Sequence, residues 1–81
     1  MVIVNYGSYF LRVFGKLDKS IKVQVEKALA KIIDNPETGK PMRYARKGTR
    51  EVYIGSFRLS YAYLAHENKI IILDLYHKDK Q

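Results

Sequence analysis

The sequence predicts an α+β fold: an N-terminal strand, then two helices packed on one face of a mostly antiparallel sheet, in the order β-α-α-β-β-β with room for one more strand. Three observations carry this. Apolar residues recur at a spacing near 3.6 between Phe10 and Ile33. They alternate with polar ones between Phe57 and Ala65. Turn signals at Gly55-Ser56 and Glu67-Asn68 divide the second half into short strands. The 81 residues suffice for one domain, 1–81.

Residues 2–6 begin with the β-branched Val2, Ile3 and Val4 and end at Gly7, the pattern of a short strand. Ser8 is placed to cap a helix whose stripe is Phe10, Val13, Phe14 and Leu17, with Gly15 marking its end. Asp18 is placed to cap a second helix running to about Asp34, with Ile21, Val25, Ala28, Leu29, Ile32 and Ile33 on its apolar face. Val23 lies off that stripe, so Ile21, Val23 and Val25 also fit a strand; the length of the pattern favours the helix. Asn35-Pro36 stops it, because the residue before proline avoids helical geometry. Residues 37–41 read as a loop, 42–46 as a strand and Lys47-Gly48-Thr49 as a turn. Strands follow at 51–54, 57–65 and 69–77, the last apolar on both faces and therefore central.

Composition narrows the function. A domain this small buries only roughly 60–65% of its unfolded surface, so an open site is expected rather than a deep cavity. There is no cysteine, and the two histidines, His66 and His77, are far apart, so neither metal nor cofactor is expected. No signal peptide or membrane-length apolar run is visible, which points to the cytoplasm. The net charge is +7. Between Lys40 and Arg58 stand six basic residues against one acid, Glu51, and four of the five arginines are there: Arg43, Arg46, Arg50 and Arg58. Such a patch is either a solvated basic face or a footprint for nucleic acid.

Strand arithmetic gives the patch a centre. With Glu67-Asn68 as a two-residue turn, Arg58 lies opposite His77; with Gly55-Ser56 as another, Tyr53 joins the same row, and Glu51 and Ser60 form the next. A one-residue error in either turn would flip the side chains. The cluster has the parts for RNA cleavage. Arg58 would stabilise charge on the phosphate, His77 would act as acid or base, and Tyr53 would stack on a base or donate a hydrogen bond. Glu51 is either a base or a salt-bridge partner of Arg50, Arg58 or a lysine. Lys40, Arg43, Arg46 and Lys47 form an outlying set suited to RNA backbone, joined at the basic terminus by Lys80.

The stretch from Gly48 to Tyr61, GTREVYIGSFRLSY, resembles the signature region of RelE/ParE-superfamily toxins, and the ending IILDLYHKDK resembles the family's final strand and basic, histidine-bearing terminus. The resemblance implies a toxin of a type II toxin–antitoxin pair. RelE-like members cleave messenger RNA in the ribosomal A site without a metal, leaving a 2′,3′-cyclic phosphate. By that resemblance Arg58 matches the phosphate-binding arginine and His77 the acid or base of the YoeB-like branch. Arg50, Glu51 and Lys78 fall near other catalytic positions. The implied partners are the ribosome, messenger RNA and an acidic RelB-like antitoxin that wraps the toxin in a hetero-oligomeric complex, with no membrane involved. The chain departs from the pattern in places. Arg50-Glu51-Val52-Tyr53 stands where many RelE members carry two lysines, and Met42 where YoeB-like members have a glutamate. The ParE branch shares the fold but inhibits DNA gyrase.

Overall fold

Strand β1 (Ile3–Tyr6) opens the fold in the computed structural model, which describes residues 2–80 apart from the side chain of Lys80. Its partner is the last strand, and Gly7 ends it where the two backbones nearly touch. The Gly7 N–H donates to the Ile72 carbonyl at 2.7 Å, and a Cβ on Gly7 would sit 2.8 Å from that oxygen. Gly7 is therefore extended and occupies the cap position of helix α1 (Ser8–Gly15). Ser8, expected as the cap, is instead the first helical residue, and no side chain caps this helix. The stripe is as expected: Phe10 is buried, and Val13, Phe14 and Leu17 pack beside it.

Asp18 caps α2 (Lys19–Asp34), its carboxylate accepting the Ile21 N–H at 3.0 Å. Val25, Ala28 and Ile32 are buried, with Ile21 and Leu29 at the margin. Ile33, assigned to the apolar face, is exposed, because it lies about 100° round the helix from Ile32. Val23 is exposed too, as the helical reading requires. Asn35 leaves the helix in an extended conformation ahead of Pro36.

The segment after α2 differs from expectation. The strand is β2 (Lys40–Pro41), and Tyr44–Arg46 form a 3-10 turn instead of the strand predicted for 42–46. Pro41 has no N–H, so β2 can only be a short edge strand. Tyr44, at φ 59°, then takes the chain out of extended geometry. Strands β3 (Thr49–Ile54) and β4 (Phe57–Leu64) pair across the two-residue Gly55-Ser56 turn, with Tyr53 opposite Arg58 as predicted.

The connection from β4 to β5 (Lys69–His77) is longer than predicted. A 3-10 turn at Ala65–Glu67 and Asn68 in the left-handed region replace the two-residue turn. Asparagine tolerates that conformation better than most residues. The longer connection and a β-bulge both change the register. Tyr61 pairs with Ile72 while Ser60 pairs with Asp74, so Leu73 has no partner on β4. As a result Arg58 lies opposite Tyr76, and His77 lies opposite Phe57. The predicted pairing of Arg58 with His77 is thus corrected by one position.

The sheet order is β1-β5-β4-β3-β2, with β1 parallel to β5 and every other pair antiparallel. Phe10, Val25, Ala28 and Ile32 of the helices meet Leu59, Tyr61, Ile70, Ile72 and Leu75 of the sheet in one core. Both helices cover that face, and no α-helix among the described residues covers the other. No helix among the described residues is long and apolar enough to cross a membrane.

Candidate functional site

Alternation along β4 points Leu59 and Tyr61 into the core and leaves Arg58 and Ser60 on the helix-free face. Pairing sets Tyr53 and Tyr76 on either side of Arg58, and Glu51 and Asp74 on either side of Ser60. Directly opposed residues share a face, so these six form two adjacent rows.

Arg58 is the half-buried cation of the first row. Its guanidinium lies 4.0 Å from the centroid of the Tyr53 ring and donates from Nη1 to the carbonyls of Gly55 at 3.3 Å and Phe57 at 3.2 Å. It forms no ion pair among the described residues. The backbone and the ring orient its charge without neutralising it.

Glu51 has the opposite situation. It is 3% exposed, and its Oε2 accepts from Arg46 Nη1 at 2.9 Å and from the Tyr76 hydroxyl. Arg46 Nη1 also donates to the Tyr76 oxygen at 3.1 Å. The Tyr76 hydroxyl, followed by Glu51 and Asp74, raises the Arg46 pKa, so the guanidinium stays charged. A carboxylate this deeply buried needs a partner, and Arg46 supplies it. Arg46 thus balances Glu51 and ties the 3-10 turn to the sheet, whereas the sequence suggested an open phosphate contact.

The remaining predicted residues divide. Arg50 lies on the helix-side face, opposite Tyr61; its Nη1 donates to the carbonyls of Glu37 at 3.0 Å and Gly39 at 2.8 Å. It holds the loop after α2 and lies away from the Arg58 row. His77 meets the Phe57 ring edge-on at 5.4 Å between centroids, and its Nδ1 accepts the Asp79 N–H at 3.2 Å. Lys78 donates its backbone N–H to the Ser56 carbonyl at 2.8 Å, which closes the terminal 3-10 turn against the β3–β4 turn. Lys40, Arg43 and Lys47 are exposed and form no ion pair among the described residues. Lys40 and Arg43 line an open groove of about 690 Å³ with Pro41, Met42 and Tyr44. The side chain of Lys80 lies outside the described residues.

Sequence reasoning missed Tyr76 and Tyr44. For Tyr76 a signal was present: an unbulged β5 would put Asp74 opposite Leu59 in the core, and an unpaired acid there is costly. The bulge returns Asp74 to the open face and takes Tyr76 with it. The face as built offers one unneutralised guanidinium, an aromatic ring beneath it, and a tyrosine hydroxyl bonded to a carboxylate that can receive a proton.

Comparison with known proteins fits this architecture. The sequence model of a family described as ParE toxin of type II toxin–antitoxin systems, parDE, matches residues 5–81. No curated protein matches the chain significantly in sequence. Among solved structures, the toxin–antitoxin complex RelBE2 from Mycobacterium tuberculosis includes a chain 28% identical to this one, with a TM-score of 0.82 over 94% of this chain and 96% of that one. A chain of the intact Escherichia coli RelBE complex is 14% identical, with a TM-score of 0.82 over 95% and 96%. A chain of the archaeal RelE–RelB complex from Pyrococcus horikoshii is 15% identical, with a TM-score of 0.77 over 99% and 98%.

Proposed function

The chain belongs to the ParE toxin family of type II toxin–antitoxin systems, and from that premise we propose that it is a cytoplasmic endoribonuclease that cuts messenger RNA on the ribosome and is neutralised by an acidic RelB-type antitoxin. The observation that carries this reading is Arg58, a charged group oriented by two carbonyls and an aromatic ring on an open face, with no carboxylate among the described residues pairing it. That is a site for an anion, and planar guanidinium suits phosphate.

The chemistry follows from the neighbours. Charge that builds on the phosphate as the 2′-oxygen attacks is stabilised by Arg58. The 2′-hydroxyl proton passes to the Tyr76 oxygen as the Tyr76 proton passes to Glu51, so one proton is taken up overall and the tyrosine ends neutral. Arg46 lies against the same carboxylate oxygen and keeps it directed at the Tyr76 hydroxyl. The leaving 5′-oxygen needs a proton in return, and Lys78, two residues after Tyr76, is the candidate to give it, because His77 shares the helix-side face with Phe57. Tyr53 offers a ring face to a base, and Lys40, Arg43 and Lys47 extend the positive surface along the RNA. Arg50 has a positioning role in this scheme, acting through the loop it holds.

Cleavage mapping on programmed ribosomes tests the reading. Wild-type protein is expected to cut ribosome-bound messenger RNA, and Arg58→Ala to reduce cutting by about 100-fold or more, the usual scale for losing one charge-stabilising donor. Undiminished cutting by Arg58→Ala would remove this site from the mechanism. The match to a ParE family favours a second reading, the inhibition of DNA gyrase that resemblance to the ParE branch implies. Wild-type protein that blocks supercoiling and cuts no RNA would establish that reading instead.

A further inference from the structure

We propose that Tyr44 is a nucleobase-stacking platform beside the Arg58 site, a second point of contact for single-stranded RNA; the inference rests on the endoribonuclease reading above. Tyr44 is 91% exposed. Its backbone sits at φ 59°, in the left-handed region that disfavours a residue with a Cβ. A strained position is normally held by what its side chain packs against, yet this ring makes no stacking contact and its hydroxyl no hydrogen bond among the described residues. Neither the strain nor the exposure benefits the free fold, and a ligand accounts for both.

The segment is nevertheless firmly placed. The Arg46 N–H donates to the Arg43 carbonyl at 3.2 Å, the Lys47 N–H to the Tyr44 carbonyl at 3.0 Å, and the Thr49 hydroxyl to the Arg46 carbonyl at 2.7 Å. Two residues beyond Tyr44, the Arg46 side chain anchors the turn to Glu51 and Tyr76, and Tyr76 is the strand partner of Arg58. The turn that carries the ring is therefore held at a fixed offset from the Arg58 site. Around it Lys40 and Arg43 line the groove and Lys47 follows the turn. An aromatic face among unpaired cations suits a chain whose bases are free to stack and whose backbone is anionic, which is single-stranded RNA.

Fluorescence anisotropy with a short single-stranded RNA oligonucleotide at low salt tests this, using wild type, Tyr44→Ala, Tyr44→Phe, Tyr44→Gly and Arg58→Ala. Tyr44→Ala is expected to weaken binding roughly tenfold, within the range for one stacked base. Tyr44→Phe should bind within about twofold of wild type. Because no charge is removed, the dependence of affinity on salt should be the same for wild type and Tyr44→Ala. Tyr44→Gly relieves the left-handed backbone, so it should melt at or above the wild-type temperature while binding as weakly as Tyr44→Ala. If Tyr44→Ala binds like wild type while Arg58→Ala is weakened, the stacking role is overturned and the endoribonuclease reading stands. If wild type neither binds RNA nor cuts it on ribosomes, the reading beneath both fails.

Discussion

Tyr61 shows how much one hydroxyl can hold. It is buried at the centre of β4, yet its O–H reaches the loop after α2, donating to the Pro36 carbonyl at 2.7 Å and accepting the Gly39 N–H at 2.9 Å. Gly39 lies so near that a Cβ there would come within 2.7 Å of the same oxygen. Burial pushes the phenol pKa up, with the Gly39 N–H and the Arg50 charge pulling it partly back. Tyr61→Phe leaves both backbone groups unpaired and is expected to cost about 1–3 kcal/mol, measured by urea denaturation. The pH dependence has a definite sign. The raised pKa means the fold favours the neutral phenol, so this stabilisation is complete below the unfolded pKa of about 10. It is lost as pH rises through the higher folded value. Wild-type stability should therefore fall more steeply above pH ~10 than that of Tyr61→Phe. At this scale the alternation between Phe57 and Ala65 accounts for a buried Tyr61, but its hydroxyl contacts join residues far apart in the chain and leave no local pattern.

The two strands that deliver Arg58 and Tyr53 were legible as elements, because Gly55-Ser56 fixes both turn length and pairing. Tyr53, Arg58 and Glu51 consequently share a face as the arithmetic required. The last strand was less legible. Its register depends on a four-residue connection and on an extra residue at Leu73, and neither has a local signature as strong as a tight turn. That is why His77 was placed where Tyr76 stands. The bulge makes a direct prediction. Deleting Leu73 removes only the residue without a partner on β4, so Tyr61–Ile72 and Ser60–Asp74 remain neighbours. The deletion variant should fold and keep the Arg58–Tyr76 pairing, read from cross-strand nuclear Overhauser contacts. Contacts from Arg58 to Leu75 or His77 would show that the register is set elsewhere. Arg46 was misread for a related reason. The sequence gives its charge but not the 3-10 turn that folds it back onto Glu51.

For the whole molecule, the governing feature is that, among the described residues, β1 pairs only with β5. The first strand of the chain waits for the last, and the two helices between them pack on a sheet that β5 joins together. A chain truncated after residue 68 would lose the partner of β1 and the strand carrying Ile70, Ile72 and Leu75 of the core. It is expected to show no cooperative melting by circular dichroism; a cooperative transition would mean that the helices and β2–β4 form a core without β5.

This arrangement has a consequence for biosynthesis. A ribosome extends the chain from β1 onwards, so strands β1 to β4 emerge before the strand that unites them. Tyr76, with its link to Glu51, is translated after all of β1 to β4. The nascent protein therefore has neither an assembled sheet nor an assembled open face while those codons are being read. The open face is complete only once synthesis has passed that strand.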